Sequence, residues 1–373
     1  MIANIFRLLI FLLLPAFAMG QSINLTVAPP TSNNDRSTFL LSRGEVTINS
    51  GQIRFHKSKV TVDGFSNYGI SPDRSVVGLL KWSGGDGHVV LMNSVGDTLT
   101  TYDATSMADP NSFGIYPYDN GNILLRDKIA SFTFFDTFGD IITSTSSSSQ
   151  SKEGETISEV AMSPNGNTLV IYTPKIKRNE KLGSKAEVKL TNNSFQNIFF
   201  SSDRYLKSVK ISDDGKLVAL ITTAQGEEDK VLVKDKYGNN LTSITTDEKL
   251  KDVAFSADGR YITLYSSRRV MVYSSQNGER LGSTSFRKAV FMANYFPEDH
   301  LILAITGDYS KPANVLGNVE VRAINLRQRK IGTKSFSGVL GFTKVLPPRL
   351  VRTSAGHYQL DGASKQLRIE ANF

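Results

Sequence analysis

The chain has 373 residues, of which 40% are hydrophobic and 21% charged, with a formal net charge of +8 and no cysteine. This composition is typical of a globular protein and argues against intrinsic disorder. The lack of cysteine excludes disulfide bonds and thiolate metal ligands, so burial alone must stabilise the core. The positive charge is spread along the chain and is too diffuse to indicate nucleic-acid binding.

The first twenty residues have the pattern of an export signal. Arg7 is followed by an uninterrupted apolar run at 8–14, then Pro15 and small residues that offer cleavage after Ala18 or Gly20. An apolar stretch of about ten residues is too short for a bilayer span, which needs about twenty. We therefore predict a signal peptide at 1–20 and one domain at 21–373. That domain would be periplasmic or secreted, and not membrane-spanning after cleavage.

A recurring motif is the main structural feature of the sequence. It consists of Ser, any residue, Asp or Asn, and Gly or a substitute, followed by an apolar run. Clear copies start at Ser71, Ser163, Ser212 and Ser256, and weaker ones lie near Tyr118 and Phe296. These six positions are 47, 45, 49, 44 and 40 residues apart. Such steps match the period of a propeller blade.

The motif has the chemistry of a tight hairpin. Asp or Asn can bond to the local backbone, and Gly adopts a positive φ without steric cost. The run that follows is apolar on successive residues, as at 217–221 and 301–305. A strand with one face in water would alternate, so these runs predict strands buried on both faces. A second hairpin follows each copy, and its last strand is more polar, as expected of an outer edge.

These observations predict an all-β fold, a β-propeller with four antiparallel strands per blade. Two ways of closing the ring of blades fit the repeats. Seven blades would be completed by an N-terminal pair of strands, whereas eight would use 38–41 as a degenerate inner strand of the first blade. We favour seven blades, with eight as the alternative.

The hairpin motif resembles the WD40-like PD40 repeat of the TolB propeller, and the outer hairpins resemble those of YVTN-type bacterial propellers. The resemblance runs from about residue 40 to the end, and it implies the propeller fold rather than an activity. The chain differs from TolB in having no evident separate N-terminal α/β domain. It differs from true WD40 repeats in lacking Gly-His and Trp-Asp dipeptides, since its only tryptophan is Trp82.

The sequence contains no convincing catalytic, cofactor-binding or metal-binding constellation. The four histidines, His56, His88, His300 and His357, lie in different repeats. Nucleophile elbows, zinc-protease helices and phosphate loops are absent from the sequence. We therefore predict no cofactor, no metal and no enzymatic activity. The alternative is a propeller enzyme of lactonase or hydrolase type, which would need His, Asp or Arg side chains that converge at the central channel.

Basic residues in two predicted loops suggest a candidate binding face. Lys175, Lys177, Arg178, Arg268 and Arg269 all lie between the second and third strands of a blade. Loops of that class share one face of a propeller, so the five residues could together bind an anionic partner. The alternative, which we favour, is ordinary solvated surface charge. The leading hypothesis is an exported scaffold for a protein partner in the cell envelope. The other hypotheses are an anionic glycan, such as peptidoglycan, and a lipid head group; nucleic acid is not expected.

Overall fold

The computed structural model describes residues 22–28, 37–83, 85–104, 114–126, 131–146, 158–174, 184–190, 194–343, 345–364 and 366–372. The predicted signal peptide and the residues Lys175, Lys177 and Arg178 lie outside these ranges. Within them the regular structure is β-strand, apart from one short 3₁₀ turn at Pro297–Asp299. None of the described segments forms a helix long and apolar enough to cross a membrane.

The first four blades follow one another along the chain after the N-terminal strand β1 (Asn24–Ala28). Blade 1 contains β2 (Thr38–Leu40), β3 (Glu45–Asn49), β4 (Gln52–Phe55) and β5 (Thr61–Asp63). Blade 2 contains β6 (Phe65–Ile70), β7 (Val76–Ser83), β8 (Asp86–Asn93) and β9 (Thr98–Asp103). Blade 3 contains β10 (Gly114–Pro117), β11 (Ile123–Arg126), β12 (Ser131–Phe135) and β13 (Ile141–Ser146). Blade 4 contains β14 (Glu159–Met162), β15 (Leu169–Thr173), β16 (Ser184–Lys189) and β17 (Phe195–Ser201).

The remaining blades have the same order of strands. Blade 5 contains β18 (Tyr205–Ile211), β19 (Leu217–Thr223), β20 (Asp229–Asp235) and β21 (Asn240–Thr246). Blade 6 contains β22 (Leu250–Phe255), β23 (Tyr261–Ser266), β24 (Arg269–Ser274) and β25 (Arg280–Ser285). Blade 7 contains β26 (Val290–Phe296), β27 (Leu301–Ser310), β28 (Val315–Asn325) and β29 (Lys330–Ser335), and β30 (Leu340–Gly341) pairs with β28. Blade 8 contains β31 (Arg349–Ser354), β32 (His357–Asp361) and β33 (Leu367–Asn372).

The ring closes between the two ends of the chain. The eighth sheet has the order β1-β33-β32-β31, so the N-terminal strand is the outermost strand of the last blade. β1 pairs antiparallel with β33 over five residue pairs, from Asn24 opposite Asn372 to Ala28 opposite Arg368. The propeller prediction is confirmed, and the preferred count of seven is corrected to the alternative of eight. The difference arises because β2, at 38–40, forms a complete, though short, first blade.

The serine motif builds the turn between the innermost and second strands of a blade. In blade 5 the Ser212 hydroxyl donates to Asp214 Oδ1 at 2.7 Å and accepts the Leu217 N–H at 3.0 Å. Asp214 Oδ1 also accepts the Lys216 N–H at 3.0 Å, and Gly215 has a φ of 73°. Blades 2, 4 and 6 repeat this network at Ser71, Ser163 and Ser256. The motif's carboxylate and amide oxygens therefore bond within the turn itself.

The apolar runs are buried between blades, as their pattern predicts. On β19, Val218 and Leu220 pack toward blade 4, in a cluster with Val170. The alternate residues Ala219 and Ile221 pack toward blade 6. Each face of the sheet is thus covered by a neighbouring blade, which removes both sides of the strand from water. The hydrophobic effect of this double burial stabilises the stack of blades.

Candidate functional site

The inner turns of neighbouring blades contact one another on one face of the ring. The Asp73 N–H of blade 2 donates to Asp119 Oδ1 of blade 3 at 3.0 Å. Thr168 of blade 4 donates its hydroxyl to the Gly215 carbonyl of blade 5 at 2.7 Å. Burial and the nearby Asp73 carboxylate raise the pKa of Asp119 to about 6. The Asp119 carboxylate therefore takes part in a contact between blades 2 and 3.

This raised pKa gives a testable pH dependence. A carboxyl whose pKa is higher in the folded state stabilises the fold below its unfolded pKa, and that stability is lost as pH rises through about 6. Asp119→Asn removes the repulsion and keeps an acceptor for Asp73. We expect the variant to be more stable than wild type by about 1 kcal/mol at pH 7.5, since partial exposure screens the charge. Urea unfolding should show this difference disappearing by about pH 4; an equal difference at both pH values would contradict the assignment.

Charged side chains from blades 2, 5 and 8 form a cluster. Arg74, in the inner turn of blade 2, lies 2.5 Å from Asp361 Oδ2 of blade 8, and Arg349 lies 3.7 Å from the same oxygen. Burial raises the pKa of Asp213 in blade 5, and Arg349 partly opposes that rise. Asp361 Oδ1 is shut off from solvent and has no hydrogen-bond partner among the described residues. The ion pair between Arg74 and Asp361 links blades 2 and 8, which lie on either side of blade 1.

The connection between blades 7 and 8 also crosses to blades 1 and 2. Thr343 hydrogen-bonds to the Tyr68 hydroxyl of blade 2 at 2.6 Å. Leu346 packs in the core of blades 1 and 2 with Phe39 and Phe65. Because β2 has only three residues, this connection supplies apolar packing that a longer inner strand would otherwise provide. The charged cluster and this connection together hold blade 8 to blade 2.

The histidines do not form a metal site in the part of the chain that the structure describes. His56 contacts Thr47 at 2.7 Å, His88 lies on β8, and His357 lies 4.0 Å from Glu370. His300 borders a polar surface cleft of about 450 Å³ with Glu298, Asp299, Asn325, Arg327 and Gln328. No group of three or more metal-binding side chains occurs within the described ranges.

The predicted basic face is only partly described. Arg268 is exposed at the loop between β23 and β24. Arg269 was expected in the same loop but is the first residue of β24. It lies 3.5 Å from Glu248 and 3.9 Å from Asp247, so neighbouring carboxylates offset much of its charge. Whether these two arginines act with Lys175, Lys177 and Arg178 stays a prediction.

The outer rim of blades 3, 4 and 5 is a feature that sequence reasoning did not identify. Their outermost strands β13, β17 and β21 contain no charged residue. The outermost strand of blade 8, β1, is also uncharged, whereas the other outermost strands contain Asp63 (β5), Asp103 (β9), Arg280 (β25), and Lys330 and Lys334 (β29). Blades 3–5 also carry six of the ten large hydrophobic side chains found exposed in the described chain: Phe138, Ile141, Ile142, Phe200, Tyr237 and Leu241. We call this sector the uncharged rim.

A groove runs between blades 4 and 5 within the uncharged rim. Its volume is about 380 Å³, and β17 forms one wall while β20 and β21 form the other. Phe200 stands at its edge with 64% of its surface exposed, and Leu241 is 41% exposed. The wall residues are Ile198, Phe199, Phe200, Leu232, Lys234, Asn240, Leu241, Thr242 and Ser243. The groove therefore offers mainly apolar contact beside an outer strand edge.

Comparison with known proteins supports the architecture. No protein-family model matches the sequence, and no curated protein matches it. Among solved structures, the chain is similar to the Dos1 propeller, with a TM-score of 0.54 and 12% identity, covering 92% of this chain and 94% of that one. The chain has the β-propeller fold.

Two further propellers show the same likeness. BamB from Moraxella catarrhalis matches with a TM-score of 0.52 and 13% identity, over 94% of this chain and 98% of that one. The WD40 domain of SCAP from fission yeast matches with a TM-score of 0.54 and 10% identity, over 93% of this chain and 94% of that one. These identities are low, so the likeness extends to the propeller fold and not to a particular activity.

Proposed function

We propose that this propeller is an exported, non-catalytic scaffold that binds protein partners in the cell envelope. The observation that carries the proposal is the uncharged rim of blades 3–5. Phe138, at the tip of an outer turn, is 87% exposed, and Tyr237 at the same turn position of blade 5 is 55% exposed. Exposed apolar side chains concentrated in one sector mark protein interaction sites more often than isolated ones do.

The position of these side chains on the scaffold supports the same conclusion. In blade 3, Asp136 Oδ1 accepts the N–H groups of Phe138 and Asp140 at 2.8 and 2.9 Å. In blade 5, Asp235 holds Tyr237 in the same way. A rigid turn presents an aromatic ring at low entropic cost, and aromatic residues are enriched at protein interfaces.

Site-specific photo-crosslinking tests the proposal in cells. A photoreactive phenylalanine analogue at Phe138 or Tyr237 should form a reproducible adduct with the same envelope protein. The control site is Leu281, which is 40% exposed but lies on a strand that carries Arg280. No adduct at either rim position, or equal adducts at Leu281, would overturn the proposed role of the rim.

Export requires a separate test. If residues 1–20 are a cleaved signal, the protein from the periplasmic or secreted fraction should begin directly after Ala18 or Gly20. N-terminal sequencing gives the answer. An intact N terminus or recovery only from the cytoplasm would contradict export.

One observation favours the alternative, a hydrolase-type propeller. Arg74, Arg349, Asp361 and Asp213 converge from several blades, as a central catalytic site would require. However, Asp361 Oδ2 is already paired with Arg74, and Oδ1 is closed to solvent. A substrate would have to break a buried ion pair before it could bind. We therefore prefer the scaffold.

A further inference from the structure

We infer that a second copy of this chain binds the blade 4 part of the uncharged rim, so that β17 pairs edge to edge with β17 of the other copy. In this arrangement each Phe200 packs against the groove between blades 4 and 5 of its partner. The inference rests on the proposed function, because it names an occupant for part of the same rim.

The edge of β17 is the first observation. Among the residues that the structure describes, β17 is the last strand of its sheet and pairs only with β16, so no described strand lies beside its outer backbone groups. Its sequence, Phe-Gln-Asn-Ile-Phe-Phe-Ser, contains neither a charge nor a proline. Proteins commonly protect exposed edges with charged residues or proline. An uncharged edge without proline is suited to pair with another strand.

The protruding ring and the groove lie side by side, which is the second observation. Phe200 is 64% exposed, and the groove next to it has a volume of about 380 Å³. A cavity of about 150 Å³ is enough to hold a benzene ring. A surface that carries both a projecting phenyl group and a space for one is complementary to itself.

Charge decides in favour of a second copy over an acidic partner. In a two-fold interface the same patch contributes from both chains, so a charged residue near the axis would face its own counterpart. β17 has no charged residue, whereas β25 and β29 have Arg280, Lys330 and Lys334. The groove wall does contain Lys234, but its side chain is buried and its ammonium donates to the Gly238 carbonyl and to Asn240 Oδ1. An acidic partner would instead be attracted to those basic edges.

A bulge limits the length of the pairing. The register of β16 and β17 shifts so that Ala186 lies opposite Phe199 and Glu187 opposite Asn197, which leaves Ile198 unpaired and turned into the core. Bulges bend a strand and interrupt its ladder. The edge available to a second copy is therefore short, and we expect a reversible dimer with micromolar affinity.

Sedimentation velocity of the mature protein, from about 1 to 200 μM, tests the inference. Wild type should show a monomer–dimer equilibrium, and Phe200→Asp and Leu241→Arg should each weaken it at least tenfold. Leu281→Arg is the matched control for Leu241→Arg. Leu281 lies at the bulge of β25 as Leu241 lies at the bulge of β21, and their exposed fractions are 40% and 41%. Leu281→Arg should leave the equilibrium unchanged. Urea unfolding of each variant confirms that the exposed substitutions do not disturb the fold.

Salt gives an independent readout. The full sequence has a net charge of +8, and removal of residues 1–20, whose only charged residue is Arg7, leaves +7 (8 − 1) on each mature chain. Raising the salt concentration should therefore screen repulsion between two copies and tighten the dimer. A monomer at the highest concentration, a dimer that Phe200→Asp does not weaken, or an equal loss in Leu281→Arg would each overturn the inference. Continued photo-crosslinking of Phe138 or Tyr237 to another protein would then show that the scaffold role survives without self-association.

Discussion

Replacing Asp229 with alanine is expected to lower the free energy of unfolding by about 3–5 kcal/mol. The Asp229 side chain is fully buried. Its Oδ2 accepts hydrogen bonds from the Lys207 ammonium at 2.9 Å and from the Leu250 N–H at 2.8 Å. Lys249 lies 3.6 Å from Oδ1. The carboxylate thus joins the third strand of blade 5 to the start of blade 6. Removing it leaves the Leu250 N–H without its acceptor and takes the carboxylate away from Lys207, which keeps only the Leu250 carbonyl.

Equilibrium unfolding in urea measures this effect, with Asp247→Ala as the control. Asp247 is 76% exposed and lies 3.9 Å from Arg269, so its loss should cost less than about 0.5 kcal/mol. Burial raises the pKa of Asp229, but hydrogen bonds from Lys207, Thr223 and Leu250 outweigh burial and hold it below its usual value. Its stabilisation is therefore present above about pH 4 and is lost as pH falls further. Similar losses in both variants would contradict the bridging role.

The second large effect is expected at the strand that closes the ring. Leu25 lies on β1, is 6% exposed, and packs into the core of blades 7 and 8. Leu25→Asp removes this packing and places a carboxylate in an apolar site. We expect the free energy of unfolding to fall by at least about 3 kcal/mol.

Asn24→Asp is the control for this prediction. Asn24 is exposed on the same strand and lies opposite Asn372, so a charge there should change stability by less than about 0.5 kcal/mol. Thermal and urea unfolding of both variants give the comparison. If Leu25→Asp were as stable as Asn24→Asp, β1 would not be part of the closed ring.

The turn motif and its period were enough to predict the propeller. Ser212, Asp214 and Gly215 specify their turn by local hydrogen bonds and backbone conformation, so the sequence contains all the information needed. The apolar runs specify burial on both faces by their lack of alternation. Local chemistry and short-range pattern therefore explain the part of the fold that was predicted.

The number of blades was harder to predict from the sequence, because the first and last blades depart from the repeat. β2 has three residues, and β1 joins a blade whose other strands begin at residue 349. Leu346, from the connection between blades 7 and 8, completes the core beside β2. These contacts join parts of the chain that are far apart in sequence, and no local pattern encodes them.

The candidate site was also missed for a physical reason. β13, β17 and β21 lack charges in the sequence, but this matters only once they are known to be the outermost strands of their described sheets. The exposure of Phe200 likewise depends on how far blade 5 lies from blade 4. The contacts between blades made by Lys207 and Lys251, which donate to the carbonyls of Leu250 and Val290, are equally invisible before the blades are stacked.

A designed disulfide between the chain ends tests the central claim, the closure of eight blades by the N-terminal strand. Thr26 lies directly opposite Glu370 on β33, and the chain has no native cysteine. Directly opposed residues bring Cβ atoms to about 5 Å, close to the separation that a disulfide needs. Non-reducing peptide mapping should find the bond in Thr26→Cys/Glu370→Cys and much less of it in Thr26→Cys/Asn372→Cys. Free thiols in the first variant, or equal yields in both, would contradict the eight-bladed ring.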